Sequence, residues 1–285
     1  MEADAPLILA RWTYYCAATG LFGSSLFELY GVEGPRKRAP VLAKPVTAAL
    51  SIASLVGALL WLICFATAIG DPRDAATTLR TILFDTGFGP AWLTRLGALA
   101  LAFGAALAGR PRAAALAMAV ALACEGWSGH AAALGLAGSL LQVVHVLCAG
   151  AWIGGLLPLG LLVVRARRDA ALVPVAETAL RRFSRYGLPV VLALALTGVA
   201  NRWQILERRP DLTAGYDQVL LAKVALFGIM AAIAAINRWG IVGRFGHPGL
   251  GPARPPLSRN IAIEQLIGAA ILLAVSVLGL MNPYG

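Results

Sequence analysis

The sequence has 285 residues, of which 59% are hydrophobic and only 13% are charged, and its mean hydropathy is +0.76. A water-soluble domain has roughly a quarter of its residues charged, so this composition excludes an ordinary soluble protein. The net charge of +10 does not indicate nucleic-acid binding, because the basic residues lie in short blocks between apolar runs rather than in a soluble domain.

Apolar runs long enough to cross a bilayer recur along the chain, since a transmembrane helix needs about 20 residues at a rise of about 1.5 Å each. The pattern predicts an all-α membrane protein, a bundle of about eight transmembrane helices in one domain over residues 1–285 with no soluble domain. The predicted spans are about 8–30, 46–69, 92–109, 113–127, 139–164, 187–205, 217–238 and 260–281. We expect the polar segment from Asp71 to Gly89 to be a loop or a surface helix, and the first span to be retained because no signal-peptide pattern precedes it.

Lysine and arginine are unevenly distributed between the two sides of this bundle. Sixteen of the 24 basic residues fall in the loops after the first, third, fifth and seventh spans, counting the adjoining helix ends. The loops on the cytoplasmic side of a membrane are enriched in lysine and arginine. The distribution therefore predicts a multi-pass protein of the bacterial inner membrane with both termini in the periplasm.

Two of the three histidines fall near the predicted outer end of adjacent helices. His130 lies in the loop before the fifth span, and His145 lies about six residues inside that span, about 9 Å along its axis. His247 falls in a cytoplasmic loop. A neutral imidazole can bind copper, zinc, iron or haem, and ionisable side chains inside a membrane usually have a role. The pair predicts a metal or haem site, with an interhelical hydrogen bond as the alternative.

Two cysteines are further candidate metal ligands beside these histidines. Cys148 follows His145 by three residues and shares its helix face, and Cys124 lies near the outer end of the fourth span. Thiolates suit Cu(I), although cysteine is also a common small buried residue. The four cysteines of the chain form no C-x-x-C motif, so neither a disulfide framework nor a zinc ribbon is indicated.

Other polar residues inside the spans have two interpretations each. Glu28 and Glu125 could supply oxygen ligands or lie at the membrane interface. Lys223 could extend to the surface or pair with a carboxylate. Asn201 and Asn237 end two predicted helices, where amides tie helices together.

Packing explains several other features of the sequence. We expect Glu264 to be an interhelical partner. Trp12, Tyr14 and Tyr15 are typical of an interfacial aromatic belt. The glycines of 150–155 permit a close approach between helix backbones.

No motif for a nucleotide-driven machine is present, since the sequence lacks a G-x-x-x-x-G-K-[ST] loop and an aspartyl-phosphate motif. Any transport would be passive, coupled to a gradient or fed by a partner. The sequence predicts no catalytic residues and no enzymatic activity.

Six short motifs resemble the CopD/PcoD family of copper-resistance membrane proteins. They are Gly129-His130-Ala131; His145-x-x-Cys-Ala-Gly-Ala-Trp152-Ile-Gly-Gly155; Arg182-Phe183-Ser184-Arg185-Tyr-Gly-Leu; Leu196-Thr197-Gly198-Val199-Ala-Asn201; Leu220-Leu221-Ala-Lys223-Val224; and Ala235-Ile-Asn237-Arg238. The resemblance implies copper handling, most simply the import or acceptance of periplasmic copper. It places His130 and His145 at the family's histidines, whereas Cys124 and Cys148 are not family landmarks.

The resemblance also implies a CopC-like periplasmic copper carrier as a partner besides the lipid bilayer. Since no such domain precedes the first span, we expect the carrier to act in trans. Two alternatives remain open. The protein could be a membrane b-type cytochrome in which the same histidines are axial haem ligands, or an assembly factor that delivers copper to oxidases.

Overall fold

The computed structural model describes residues 5–31, 41–128, 134–205, 211, 213–242 and 255–283, and this part of the chain is helical with no β-strand. Its α-helices are α1 (Ala5–Tyr30), α2 (Lys44–Ile69), α3 (Ala75–Phe84), α4 (Gly89–Leu107), α5 (Pro111–Ala123), α6 (Gly135–Ala166), α7 (Val173–Ile205), α8 (Gly215–Ala235) and α9 (Pro255–Leu278). A 3-10 turn, Cys124–Trp127, follows α5, and a π-helical segment, Ile236–Ile241, continues α8.

Six of the described helices, namely α2, α4, α6, α7, α8 and α9, are long and apolar enough to cross a membrane. This confirms the predicted all-α membrane fold. Two helices at predicted spans are not among the six. α5 has only 13 residues, fewer than the about 20 that cross a bilayer. α1 is long enough, but its residues are less apolar than the apolar stretches of the six. The total of eight spans stays a prediction.

The helix α1 is the central helix of the N-terminal half. It packs against α2, α5, α6 and α9, and 15 of its 26 residues are buried. A helix that other helices cover does not need a wholly apolar surface. This explains how α1 accommodates Arg11, Tyr14, Tyr15 and Thr19.

The helices α1 and α6 cross at two glycines. A Cβ atom on Gly154 would overlap the carbonyl oxygen of Thr19, and one on Gly23 would overlap the backbone of Gly154. Backbones approach this closely only where glycine is present. The predicted close approach at 150–155 is thereby confirmed.

The apolar interior consists of two cores on either side of this crossing. One core is built mainly from α1, α2, α4 and α5. The other is built mainly from α6, α7, α8 and α9. The two halves of the chain therefore each bury their own apolar faces, and α1 and α6 join them.

The helix α7 begins at Val173, well before the predicted span of 187–205. Its first turns are amphipathic, because Ala176, Ala179 and Leu180 are buried while Arg181 is exposed. The charged residues of this stretch led to the prediction of a loop before residue 187, yet they occupy the outward face of a helix. Similarly, α3 lies in the polar segment for which a loop or a surface helix was predicted.

Two groups of polar side chains mark opposite ends of the bundle. We call one the Arg95 end, where Arg95, Arg11 and Glu125 lie together. We call the other the Arg165 end, where Arg165 donates a 2.6 Å hydrogen bond to the carbonyl of Val41. The described part of the chain begins and ends at the Arg95 end, since α1 starts there and Gly279 contacts Arg11. The membrane face that this end adjoins stays a prediction.

Candidate metal-binding site

His145 forms a hydrogen bond from α6 to α7 that determines which of its nitrogens is free. Its Nδ1 lies 3.0 Å from the hydroxyl oxygen of Thr197, and that hydroxyl donates to the carbonyl of Ala193 at 2.7 Å. A hydroxyl has a single proton to donate, so Thr197 accepts its other bond from the Nδ1–H of His145. In the neutral ring this leaves Nε2 with a free lone pair, the state in which histidine binds a metal.

Gly198 provides the space for this imidazole. A Cβ atom at position 198 would lie 3.3 Å from Cε1 of His145 and 3.9 Å from its Nδ1. The first of these contacts is tighter than most contacts between carbon atoms in proteins. Thr197 and Gly198 therefore orient the same ring, one by a hydrogen bond and one by the absence of a side chain.

A second hydrogen bond between side chains joins α6 and α7 next to His145. The amide of Asn201 donates to the side-chain oxygen of Gln142 at 2.9 Å. Gln142 precedes His145 by three residues and Asn201 follows Thr197 by four, so the two bonded pairs lie one helical turn apart. The prediction that Asn201 ties two helices is confirmed, and the bond holds α6 and α7 at the separation that the His145–Thr197 bond requires.

Lys223 of α8 brings a positive charge close to this site. It is half-buried and lies within electrostatic range of His145. Within the described residues, no carboxylate pairs with it. Like charges repel more strongly in a medium of low dielectric than in water. A positive charge on Lys223 would therefore oppose the binding of a cation at His145.

The four predicted ligands are not brought together by the described part of the structure. His130 lies outside the described residues. Cys148 is half-buried on the His145 side of α6 and packs against the second core, and Cys124 is buried in the 3-10 turn after α5. Within the described ranges, no group of three or more His, Cys, Asp or Glu side chains could hold a metal. His145 is thus the predicted histidine ligand whose surroundings the structure defines.

A buried ion pair lies at the Arg95 end, next to Cys124. Nη2 of Arg95 is 2.7 Å from Oε1 of Glu125, and the exposed fractions of the two side chains are 0% and 8%. The hydroxyl of Tyr15 donates to Oε2 of Glu125 at 2.9 Å. Both carboxylate oxygens are therefore engaged, so Glu125 is not a free oxygen ligand.

Aromatic rings surround the two arginines of this cluster. The ring of Trp61 lies 4.5 Å from the guanidinium carbon of Arg11 and 4.8 Å from that of Arg95. Trp92 lies 4.5 Å from the guanidinium carbon of Arg95. Cation–π contacts of this kind stabilise a guanidinium that is removed from water.

The prediction of an interfacial belt was wrong for Tyr14 and Tyr15, because both are buried, with exposed fractions of 0% and 5%. Sequence reasoning missed this cluster, although a signal was present. Arg11 and Arg95 both fall inside predicted spans, where an ionisable residue normally needs a partner, and Glu125 was the acidic residue available.

The cluster also fixes the chain that leads to His130. Nη2 of Arg95 donates to the hydroxyl of Ser128 at 3.4 Å. That hydroxyl donates in turn to the carbonyl of Cys124 at 3.1 Å. The described chain is therefore hydrogen-bonded to the bundle as far as Ser128, two residues before His130.

Comparison with known proteins identifies the family. Residues 1–140 match the family described as "Copper resistance protein D-like, N-terminal domain", and residues 177–278 match the family described as "Copper resistance protein D". The chain is 30% identical to Copper resistance protein D of Pseudomonas syringae pv. tomato, over 98% of each chain.

Two further relatives match about half of the chain. Inner membrane protein YebZ of Escherichia coli strain K12 is 35% identical over 50% of this chain and 48% of its own length. Copper transport protein CutJ of Bacillus subtilis strain 168 is 30% identical over 55% of this chain and 28% of its own length. No solved structure matches the chain. The chain belongs to the copper resistance protein D family and is a multi-pass protein of the inner membrane.

Proposed function

We propose that the protein captures copper at the periplasmic face of the inner membrane and passes it toward the cytoplasm, with His145 as the ligand at the entrance. The observation that carries this proposal is the hydrogen bond to Thr197, which leaves Nε2 of His145 free to bind a metal. The family supports copper as the metal, since two relatives are named for copper resistance and copper transport. Nothing in this role requires an enzymatic reaction.

The second ligand in this proposal is His130. It lies two positions after Ser128 in the sequence. Hydrogen bonds hold Ser128 at the Arg95 end, so we expect His130 to lie near that end. Two imidazoles hold copper and leave other coordination positions open for exchange. Cys148 lies about 4.5 Å further along α6 and is the next candidate ligand inward. Cys124 is a weaker candidate, because its neighbours are Arg95 and Glu125.

The positive charge of Lys223 fits a site that releases its metal again. A carrier protein would transfer copper to His145, and repulsion by the ammonium group would shorten its residence there. We propose a CopC-like periplasmic protein as this carrier, acting in trans. The import direction is the one that the family resemblance implies, and the predicted orientation, in which the Arg95 end faces the periplasm, is consistent with it.

The haem alternative has no support within the described ranges. His145 is the one histidine there, so no second axial histidine is placed opposite it within those ranges. The visible spectrum of the purified protein checks this point, because a bound haem gives a Soret band and a copper carrier gives none.

The proposal is tested with the purified full chain and three variants. We expect His145→Ala and His130→Ala to lose copper binding, measured by competition with a chelator, and to lose copper uptake into sealed proteoliposomes. His247→Ala is the matched control, because it removes the remaining histidine from a loop predicted on the opposite side. Normal copper binding by His145→Ala would remove the proposal. Copper binding without uptake by the wild-type protein would instead favour the delivery of copper to oxidases.

A further inference from the structure

Glu264 is a buried carboxyl group at the Arg165 end of the bundle, with an exposed fraction of 2%. Its Oε1 accepts a 2.6 Å hydrogen bond from the amide of Asn237. The side-chain oxygen of Asn237 accepts a 2.8 Å bond from the amide of Asn260. The predictions that Glu264 is an interhelical partner and that Asn237 ties two helices are confirmed.

Unlike Glu125, this carboxyl group forms no ion pair with a basic side chain that the structure describes. Within the described ranges, no basic side chain forms an ion pair with Glu264. Arg238 lies nearest in sequence to Asn237, but its guanidinium donates to Ser184 of α7, with 2.9 Å to the hydroxyl. An isolated carboxylate in a medium of low dielectric is costly.

The other helices packed against α9 also supply no charge to Glu264. On α8, Lys223 precedes Asn237 by 14 residues, which is about 21 Å along the axis. On α1, Glu28 accepts a hydrogen bond from the backbone of Val41 at 2.5 Å. On α6, Arg165 donates to the carbonyl of Val41. Glu264 therefore needs a proton or another cation beside it.

Asn237 belongs to the π-helical segment Ile236–Ile241. π-helical turns are rare and occur frequently at functional sites. Here the wider turn carries both Asn237, which bonds to α9, and Arg238, which bonds to α7. The irregular turn thus connects α7, α8 and α9 around Glu264.

A cavity of about 140 Å³ adjoins this carboxyl group. Apolar side chains of α6, α7, α8 and α9 line most of it, and Glu264, Asn237 and Arg238 line its polar part. At about 30 Å³ per water molecule, it holds several waters or a partly hydrated cation. Trp152 also lines it, seven residues after His145 on the same face of α6, about 10 Å along the axis. The cavity therefore extends from Glu264 to within about two helical turns of His145 along α6.

We propose that Glu264 carries a proton while this cavity is empty and exchanges that proton for a monovalent copper ion, Cu(I), that enters the cavity from His145. This inference rests on the proposed copper function and names the ion that copper displaces from Glu264. The O–H bond of the carboxylic acid breaks, the proton leaves to water at the Arg165 end, and the carboxylate pairs with the arriving monovalent cation. The charge in the cavity is unchanged, and no electron is transferred.

The test combines infrared difference spectroscopy with metal binding on the full chain in lipid. Ag⁺, a redox-inert substitute for Cu(I), and Cu(I) itself are added to the wild-type protein, to Glu264→Gln and to Glu177→Gln. Glu177 is the matched control because it is a carboxyl group at the same end of the bundle, only half-buried. We expect metal to remove the band of one protonated carboxyl group in the wild type and in Glu177→Gln, with the release of one proton. In Glu264→Gln we expect metal binding at His145 but no loss of that band.

The outcomes separate this inference from the function on which it rests. If the wild-type protein binds metal but shows no metal-sensitive carboxyl band, the proton exchange is refuted and copper binding stands. The same holds if metal also removes the band of a protonated carboxyl group in Glu264→Gln. If neither ion binds to the wild type, both the function and the exchange are refuted. The wild-type measurement needs no substitution, so the test does not depend on the folding of a variant.

Discussion

The hydroxyl of Thr197 sets the tautomer of His145. It accepts a hydrogen bond from Nδ1 at 3.0 Å and donates its own hydrogen bond to the carbonyl of Ala193. A hydrogen-bond partner behind a ligating histidine fixes the ring and raises the basicity of the other nitrogen. Thr197 therefore contributes to a metal site that it does not touch.

We expect Thr197→Val to weaken copper binding by about 10- to 100-fold, the usual cost of losing such a partner. Valine keeps the shape of threonine but cannot accept a hydrogen bond from Nδ1–H. Thr197→Ser keeps the hydroxyl and should bind copper almost normally. Chelator competition measures both constants, and equal affinities for the two variants would contradict the role assigned to Thr197.

Gly198→Ala should also weaken copper binding, because the added Cβ would lie 3.3 Å from Cε1 of His145 and would push the ring from its position. We expect a smaller loss, of about tenfold or less, since the hydrogen bond to Thr197 can survive a small shift. Gly228→Ala is the control, because an added Cβ at position 228 meets no atom within 4 Å. The same chelator competition measures both variants, and a full retention of affinity in Gly198→Ala would count against the packing argument.

Lys223→Met should strengthen copper binding and slow copper release, because it removes a positive charge within electrostatic range of His145. The methionine side chain is similar in length to that of lysine. Stopped-flow transfer of copper to a chelator measures the release rate. Lys44→Met, at the opposite end of the bundle, removes the same charge from an exposed position and should change nothing. Faster release from Lys223→Met would show that the lysine assists binding.

Glu125→Leu should destabilise the fold strongly, by about 3–5 kcal/mol, because it leaves Arg95 buried without its partner. Arg95→Leu should do the same by isolating Glu125. The double variant should lose less than the sum of the two, since no uncompensated charge remains. Unfolding in detergent followed by circular dichroism measures all three, and additive losses would indicate that the ion pair contributes little.

Hydropathy and residue type predicted the helical membrane fold, the helix that carries His145, and the interhelical roles of Asn201, Asn237 and Glu264. These features follow from local composition. The sequence did not reveal that α1 is central, because hydropathy reports how apolar a helix is and not which neighbours cover it. For the same reason the buried positions of Tyr14 and Tyr15 were misread as an interface.

The candidate site was predictable in part. The position of His145 follows from its place in an apolar run. Its tautomer depends on Thr197, which lies 52 residues away in sequence, and on the register between α6 and α7. Such a contact between helices is set by packing, so a single sequence does not specify it.

The close contact of Gly23 and Gly154 brings the backbones of α1 and α6 together with no room for a side chain between them, so this crossing offers no space for an ion. Any rearrangement that opens a passage for an ion must then occur elsewhere. The helices α7 and α8 are the least enclosed of the six apolar helices, with 11% and 6% of their apolar windows buried. They flank the cavity beside Glu264, and movement of these two would widen it by loosening the second core, while the first core, to which they do not contribute, stays intact.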